Sequence, residues 1–428
     1  MSLVVIGGMA AGLSAASRAR RVDPRLEILV LEKGDMVSVG SCGLPFYVEG
    51  RLGSPEDLVV LRAETLLRER NIQVRTGATV AAIQHPSRHV QLAGGERIPY
   101  GKLILAAGAR PKPAALPFDS PRVFSLYSVA EARRLREFLD SARPRRAAVV
   151  GAGYIGLEAA GALKARGLEV TIWEREEHVL GRQDSALTAD VREHLHASGV
   201  EVKLGSQSRE APARPFDLVV SAAGLAPDAS LAAEAGARIG PTGAIATDEH
   251  METSLNGVYA AGDCAEARCR ITGRPVWIPL GTTANRMGRI AGACAAGARE
   301  SFLGVVGTSV VQVLGLSIGL TGLSLEEAGK QGFDAVSARI QAPDRARYFA
   351  AQPATVELVA DRRTRILLGG SVLGVDGVAG RINVIAAALT AKITVDEFEQ
   401  MDLAYTPPLA PVTDPVLVAA RRLLRLLD

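Results

Sequence analysis

Cysteine is scarce in this chain: its 428 residues hold four, Cys42, Cys264, Cys269 and Cys294. With no charged-then-apolar leader ahead of Val4, that scarcity argues against a disulfide-stapled secreted fold and for a reducing cytoplasm. Net charge is nearly absent as well. Lys and Arg number 49 against 46 Asp and Glu, so the balance of +3 supplies no uniform field for gripping nucleic acid or an anionic membrane. Any anion must be held locally. A long apolar run is also lacking. Residues 301–325 carry no charge, but five glycines and the polar Thr308, Ser309, Gln312, Ser317 and Thr321 interrupt them. Alternation such as Val310-Val311-Gln312-Val313 predicts buried strands there, not a membrane span. The length allows two or three domains.

What the chain does have is glycine turns between strands and helices. Leu3-Val4-Val5-Ile6 predicts a short strand, Gly7-Gly8-Met9-Ala10-Ala11-Gly12 a tight turn, and residues 13–21 an alanine-rich helix. Gly7 permits the turn, the small Ala10, Ala11 and Gly12 let helix pack on strand, and the helix N-terminus offers free N–H groups to a pyrophosphate. The next apolar strand ends at Glu32, where a carboxylate can bind a ribose diol. Met9 stands at the usual second glycine. A second turn, Gly151-Ala152-Gly153-Tyr154-Ile155-Gly156, matches the dinucleotide fingerprint at every position and is followed by a strand ending at Glu174. Glu174 favours the 2′-hydroxyl of NADH, whereas the adjacent Arg175 leaves NADPH possible. Two further strand-to-glycine turns, at 103–111 and 257–263, complete the order of a two-nucleotide protein, with Asp263 at a strand end near the first nucleotide.

With these residues the chain resembles the FAD-dependent pyridine nucleotide-disulfide oxidoreductases along essentially its whole length. The run Ser38-Val39-Gly40-Ser41-Cys42-Gly43-Leu44-Pro45 and the C-terminal Ala404-Tyr405-Thr406-Pro407-Pro408 resemble the single-cysteine branch. That branch contains coenzyme A-disulfide reductases, polysulfide or persulfide reductases, NADH oxidases and NADH peroxidases. The resemblance implies an α/β fold of two Rossmann-like domains plus a C-terminal α+β dimerisation domain. It divides the chain into an FAD domain at 1–112 and 244–312, an NAD domain at 113–243 and a dimer domain at 313–428. It also implies cofactor contacts at Lys33, Ser41, Val80, Ala107, Gly108, Arg110, Glu158 and Gly224.

Relatives with an internal redox disulfide place a second cysteine five positions on, but here that residue is Tyr47. A lone thiol at Cys42 must take its disulfide partner from another molecule. Pro45 predicts a helix start just after it, whose partial positive charge would favour thiolate. Cys264 and Cys269 share the five-residue spacing, yet their place after Asp263 suggests packing. Peroxidases and water-forming oxidases of the branch carry a histidine inside the first glycine turn, and Ala10 occupies that place. The resemblance further implies that Tyr405, and with less motif support Tyr348, reach into the partner subunit's site, each otherwise a packing residue at a dimer seam. It also implies that Arg18, Arg21, Ser38, Asn285, Arg286 and Arg289 line a coenzyme A channel; without it, such arginines read as a solvated helix end. The sequence ends at Asp428, so no appended sulfur-transfer domain is expected. The expected protein is a homodimeric, FAD-containing NAD(P)H-dependent reductase of coenzyme A disulfide, persulfide or polysulfide, with no bound metal. Two rivals stand beside it: an NADH oxidase, and a flavoprotein reductase serving an iron-sulfur partner.

Overall fold

The structure, a computed structural model, describes residues 2–113, 122–182, 184–205 and 216–428. Two parallel sheets of five strands and one antiparallel sheet of five strands form its frame. In the first the spatial order is Val258–Ala260, Lys102–Leu105, Ser2–Ile6, Glu27–Leu31 and Gln73–Arg75. Helices cover both faces of such a sheet, which is why its strands read as uninterrupted valine, leucine and isoleucine. The second has the order Val200–Lys203, Glu169–Trp173, Arg146–Val150, Leu218–Ser221 and Val123–Ser125.

Val258–Ala260 closes the first sheet after the whole second sheet has been laid down, so the second unit is inserted into the first. The crossing is marked by a ribbon in which Ala109–Pro111 pairs antiparallel with Leu225–Pro227.

The third sheet runs Ser309–Val313, Leu316–Gly322, Leu367–Gly374, Pro353–Asp361 and Ala335–Pro343. The uncharged stretch is thus a hairpin, as its alternation predicts. Among the described residues no helix is long and apolar enough to cross a membrane. Ser309–Val313 pairs only within this sheet, so a boundary drawn at 312/313 cuts one of its strands. The strand's membership depends on a partner later in the chain, which local pattern does not reveal.

Two packing features position the site. The Gly281–Ala295 helix lies against the Ala10–Val22 helix so closely that a Cβ on Gly288 would stand 2.1 Å from the Ala11 carbonyl oxygen, and one on Gly292 would stand 2.1 Å from that of Ala15. Further, a single apolar cluster joins Leu44, Tyr47 and Val48, just past Cys42, to Leu157 and Leu163 of the Tyr154–Ala165 helix and to Val311, Ile318 and Leu320 of the third sheet. Each such buried side chain contributes about 1.5–3 kcal/mol, so the three units are held as one body.

Candidate active site

Both glycine turns are built alike. Gly7 (φ +105°) and Gly151 (φ +108°) take a left-handed backbone, and a Cβ there would stand 2.2 Å from the Ala106 carbonyl oxygen or 2.1 Å from that of Ala222. The helices that follow begin after Met9 and Gly153 with no side-chain cap, leaving their first N–H groups for an anion. Met9 (φ −99°) and Gly153 (φ −78°) both have ordinary dihedrals, which explains why the backbone accepts methionine at the fingerprint's second glycine.

Each turn is braced by the carboxylate predicted to bind ribose. Glu32 accepts the Gly8 N–H at 2.7 Å and the Gly34 N–H at 2.7 Å; Glu174 accepts the Ala152 N–H at 2.7 Å and the Glu176 N–H at 2.9 Å. A carboxylate has about four acceptor positions, so a diol can still be bound. Two uncapped helix ends, each beside a carboxylate, fit two dinucleotides. Arg175 is exposed and paired with Glu176 at 2.9 Å.

The remaining residues expected at the cofactors lie on several elements. Ala107 and Gly108 follow the Lys102–Leu105 strand; Lys33, Arg110 and Ser41 are exposed. The Gly224 carbonyl accepts the Lys112 N–H at 2.9 Å beside the crossing ribbon. Tyr154 shares a 2.8 Å hydroxyl hydrogen bond with Ser309, and Ile155 is half-buried beside it. Val80 has its side chain in the core of the first unit. Asp263 ends the Val258–Ala260 strand region; burial pushes its carboxyl up to about 6, and its carbonyl accepts the Trp277 indole N–H at 2.7 Å. Sequence reading missed Trp277. It missed Tyr127 too, whose hydroxyl accepts the Ala109 N–H at 3.1 Å.

All four cysteines are free, and Cys42 is the exposed one. Cys264 is buried and donates to the Leu105 carbonyl at 3.4 Å, and Cys269 is buried as well, so both are packing residues. Cys42 lies in the short 3-10 turn Ser41–Gly43, ahead of the Leu44–Glu49 helix. One expectation is corrected here. The thiol pKa is raised, not lowered: desolvation by surrounding protein acts first, then the negative charges of Glu158 and Asp263. Burial disfavours the thiolate and the two carboxylates repel it, so the thiol form is favoured at this position.

Glu158, on the Tyr154–Ala165 helix, is itself pushed up to about 7 by burial. Above that pH its charge opposes ionisation of Cys42. A Glu158→Gln variant should therefore alkylate faster at Cys42 with iodoacetamide than the parent, the gap opening above about pH 7. Superimposable pH–rate profiles would remove Glu158 from this role.

Tyr348 and Tyr405 are hydrogen-bonded to each other on the surface, 74% and 49% exposed. Their segments are held together by the Ala346 N–H to the Pro407 carbonyl at 3.2 Å and by Arg345 to the Pro408 carbonyl at 3.4 Å. Desolvation, then Tyr405, raises the Tyr348 pKa, which keeps that phenol protonated. Neither tyrosine is among the groups acting on Cys42 of the same chain.

Of the expected coenzyme A residues, Arg18, Asn285 and Arg289 are linked across the two glycine-packed helices, while Arg21, Ser38 and Arg286 make separate contacts or, among the described residues, none. Asn285 donates to the Ser14 hydroxyl at 2.7 Å. Arg18 forms an ion pair with Glu300, and Arg289 lies 3.7 Å from the same carboxylate. Arg286 donates to the Gly304 carbonyl at 3.1 Å and stacks on Phe302 at 5.1 Å, while Arg21 is exposed. Ser38 (φ +55°) is held in a left-handed conformation by its N–H to the Gly8 carbonyl and by the Val60 N–H to its own carbonyl, both at 2.9 Å. Glu300 gave no signal in sequence, being 282 residues from Arg18.

Comparison with known proteins agrees with this geometry. The pyridine nucleotide-disulphide oxidoreductase profile matches residues 1–296, and that family's dimerisation domain matches residues 308–415. A NAD(P)H coenzyme A polysulfide/persulfide reductase of Pyrococcus horikoshii is 38% identical over 435 residues, spanning 98% of this chain and 97% of the relative. The solved NAD-dependent persulfide reductase of A. fulgidus superposes with a TM-score of 0.94 at 36% identity, over 98% of this chain and 82% of that one. Reduced Bacillus anthracis CoADR-RHD gives a TM-score of 0.96 at 31% identity, over 100% and 80%. With two braced glycine turns, a lone accessible thiol and an antiparallel C-terminal sheet, this chain belongs to the pyridine nucleotide-disulphide oxidoreductase family.

Proposed function

We propose that the chain is the protomer of a homodimeric, FAD-containing NAD(P)H oxidoreductase that reduces coenzyme A disulfide, or a coenzyme A persulfide or polysulfide, at one thiol. The observation that carries this reading is Cys42, exposed and unpaired, in the turn leading into the helix that packs against the helix of the second nucleotide turn. We read the FAD-binding unit as about 1–112 and 244–308, the NAD-binding unit as 113–243, and the dimer unit as starting before Ser309.

FAD, when bound, would supply two-electron transfer between a nicotinamide and the substrate sulfur. The uncapped helix ends after Met9 and Gly153 hold the pyrophosphates, while Glu32 and Glu174 orient the riboses. Glu174, with Arg175 tied to Glu176, supports NADH over NADPH. The Cys42 thiolate attacks one sulfur of the substrate, forming a mixed disulfide and releasing one thiolate; two-electron reduction of that bond restores Cys42 and frees the second thiol. Tyr405, hydrogen-bonded to Tyr348, would donate to the leaving thiolate in the partner subunit's site.

Under anaerobic conditions NADH should be oxidised one-for-one with added coenzyme A disulfide, and mass spectrometry should find a coenzyme A adduct on Cys42. Oxygen uptake that accounts for all NADH consumed, with the disulfide ignored, would replace this reading by an oxidase.

A further inference from the structure

Arg18 and Arg289 project from the two crossing helices toward one carboxylate, Glu300. The pair is half-buried, with the Arg18 side chain 28% and the Glu300 side chain 22% exposed. Screening by salt is weaker there than at an open surface. The Arg18 Nε is buried and has no partner, so this guanidinium retains a donor that an additional acceptor could satisfy. Residue 300 itself is fixed by its backbone: its carbonyl accepts from the His250 ring at 2.8 Å and from the Cys294 thiol at 3.2 Å.

We propose that Glu300 is an internal competitor, a carboxylate that occupies the guanidinium groups of Arg18 and Arg289 and must be displaced before a phosphate-bearing thiol compound can use them. This inference rests on the reading that coenzyme A substrates use this surface. A phosphate offers more acceptor oxygens and more charge than one carboxylate, so it displaces Glu300 by bidentate pairing. A disulfide without phosphates does not engage these arginines and leaves the ion pair in place. The competition lowers affinity for every anion but penalises weakly charged ones most.

The test compares the holoenzyme with its Glu300→Gln and Glu300→Ala variants, using coenzyme A disulfide and pantethine, the same disulfide without its nucleotide phosphates. In both variants KM for coenzyme A disulfide should fall about fivefold at low ionic strength, the size of a roughly 1 kcal/mol ion pair. The change should be confined to KM, shrink in 0.5 M salt and be absent with pantethine. If Glu300 is instead a strut that orients the arginines, KM for coenzyme A disulfide rises, and the proposal is overturned. An unchanged KM, or equal changes with both disulfides, overturns it too. Binding of adenosine 3′,5′-bisphosphate gives a readout apart from turnover. An enzyme that ignores coenzyme A disulfide, yet binds this probe more tightly after Glu300→Gln, fails the substrate reading and keeps the competing carboxylate. Equal probe affinity in parent and variant removes the carboxylate role.

Discussion

Replacing Cys42 with serine is expected to lower turnover with coenzyme A disulfide at least about a thousandfold, while NADH still bleaches the flavin band at the parental rate. A hydroxyl has neither the nucleophilicity nor the accessible anion of a thiol, and it cannot hold the mixed disulfide. Serine is nearly isosteric, and position 42 is exposed, so folding and both nucleotide turns should be untouched. The combination matters: loss of both half-reactions would indicate a structural defect, and retention of both would place the reacting sulfur elsewhere. Cys264 and Cys269 are buried and Cys294 is partly so, which makes Cys264→Ser and Cys269→Ser the informative controls, costing stability before chemistry.

The second large effect is expected at Gly288. Its missing side chain lets the Gly281–Ala295 helix touch the Ala11 backbone, and an added Cβ would sit 2.1 Å from the Ala11 oxygen, 2.8 Å from its carbonyl carbon and 2.9 Å from its Cα. Both backbones are rigid there, so neither can give way as a side-chain tip would. Overpacking usually costs about 1–3 kcal/mol, and forcing two helices apart falls at or beyond the top of that range against a total stability of about 5–15 kcal/mol. Gly288→Val should give little soluble holoprotein, and Gly288→Ala a lower melting temperature and weaker FAD retention. A Gly288→Val protein with parental yield and melting temperature would mean that the helices do not meet as described. The same crossing sets the spacing of Arg18, Asn285 and Arg289, so a mild spread should also raise KM for coenzyme A disulfide.

Local features of the site were legible from the residues because they obey short-range rules. The strand, turn and helix at 2–22 and at 146–165 follow their glycines, and Glu32 and Glu174 stand where the next strands end. The burial of Cys264 and Cys269 followed from their place after a core strand. What failed was non-local. The rise in the Cys42 pKa comes first from desolvation by protein packed around it and then from Glu158 and Asp263, which approach from other elements. Ser309–Val313 takes its sheet from later partners, and the carboxylate shared by Arg18 and Arg289 comes from a loop that no spacing announces. The hydrogen bond between Tyr348 and Tyr405 shows a middle case, in which residue types were readable but not their mutual contact.

The apolar cluster shared by the Leu44–Glu49 helix, the Tyr154–Ala165 helix and the first hairpin of the third sheet leaves the electron route without a joint. A scaffold of that kind does not swing between donor and acceptor. It holds Cys42 in one place beside the second nucleotide unit, so whatever reacts there has to travel to the sulfur.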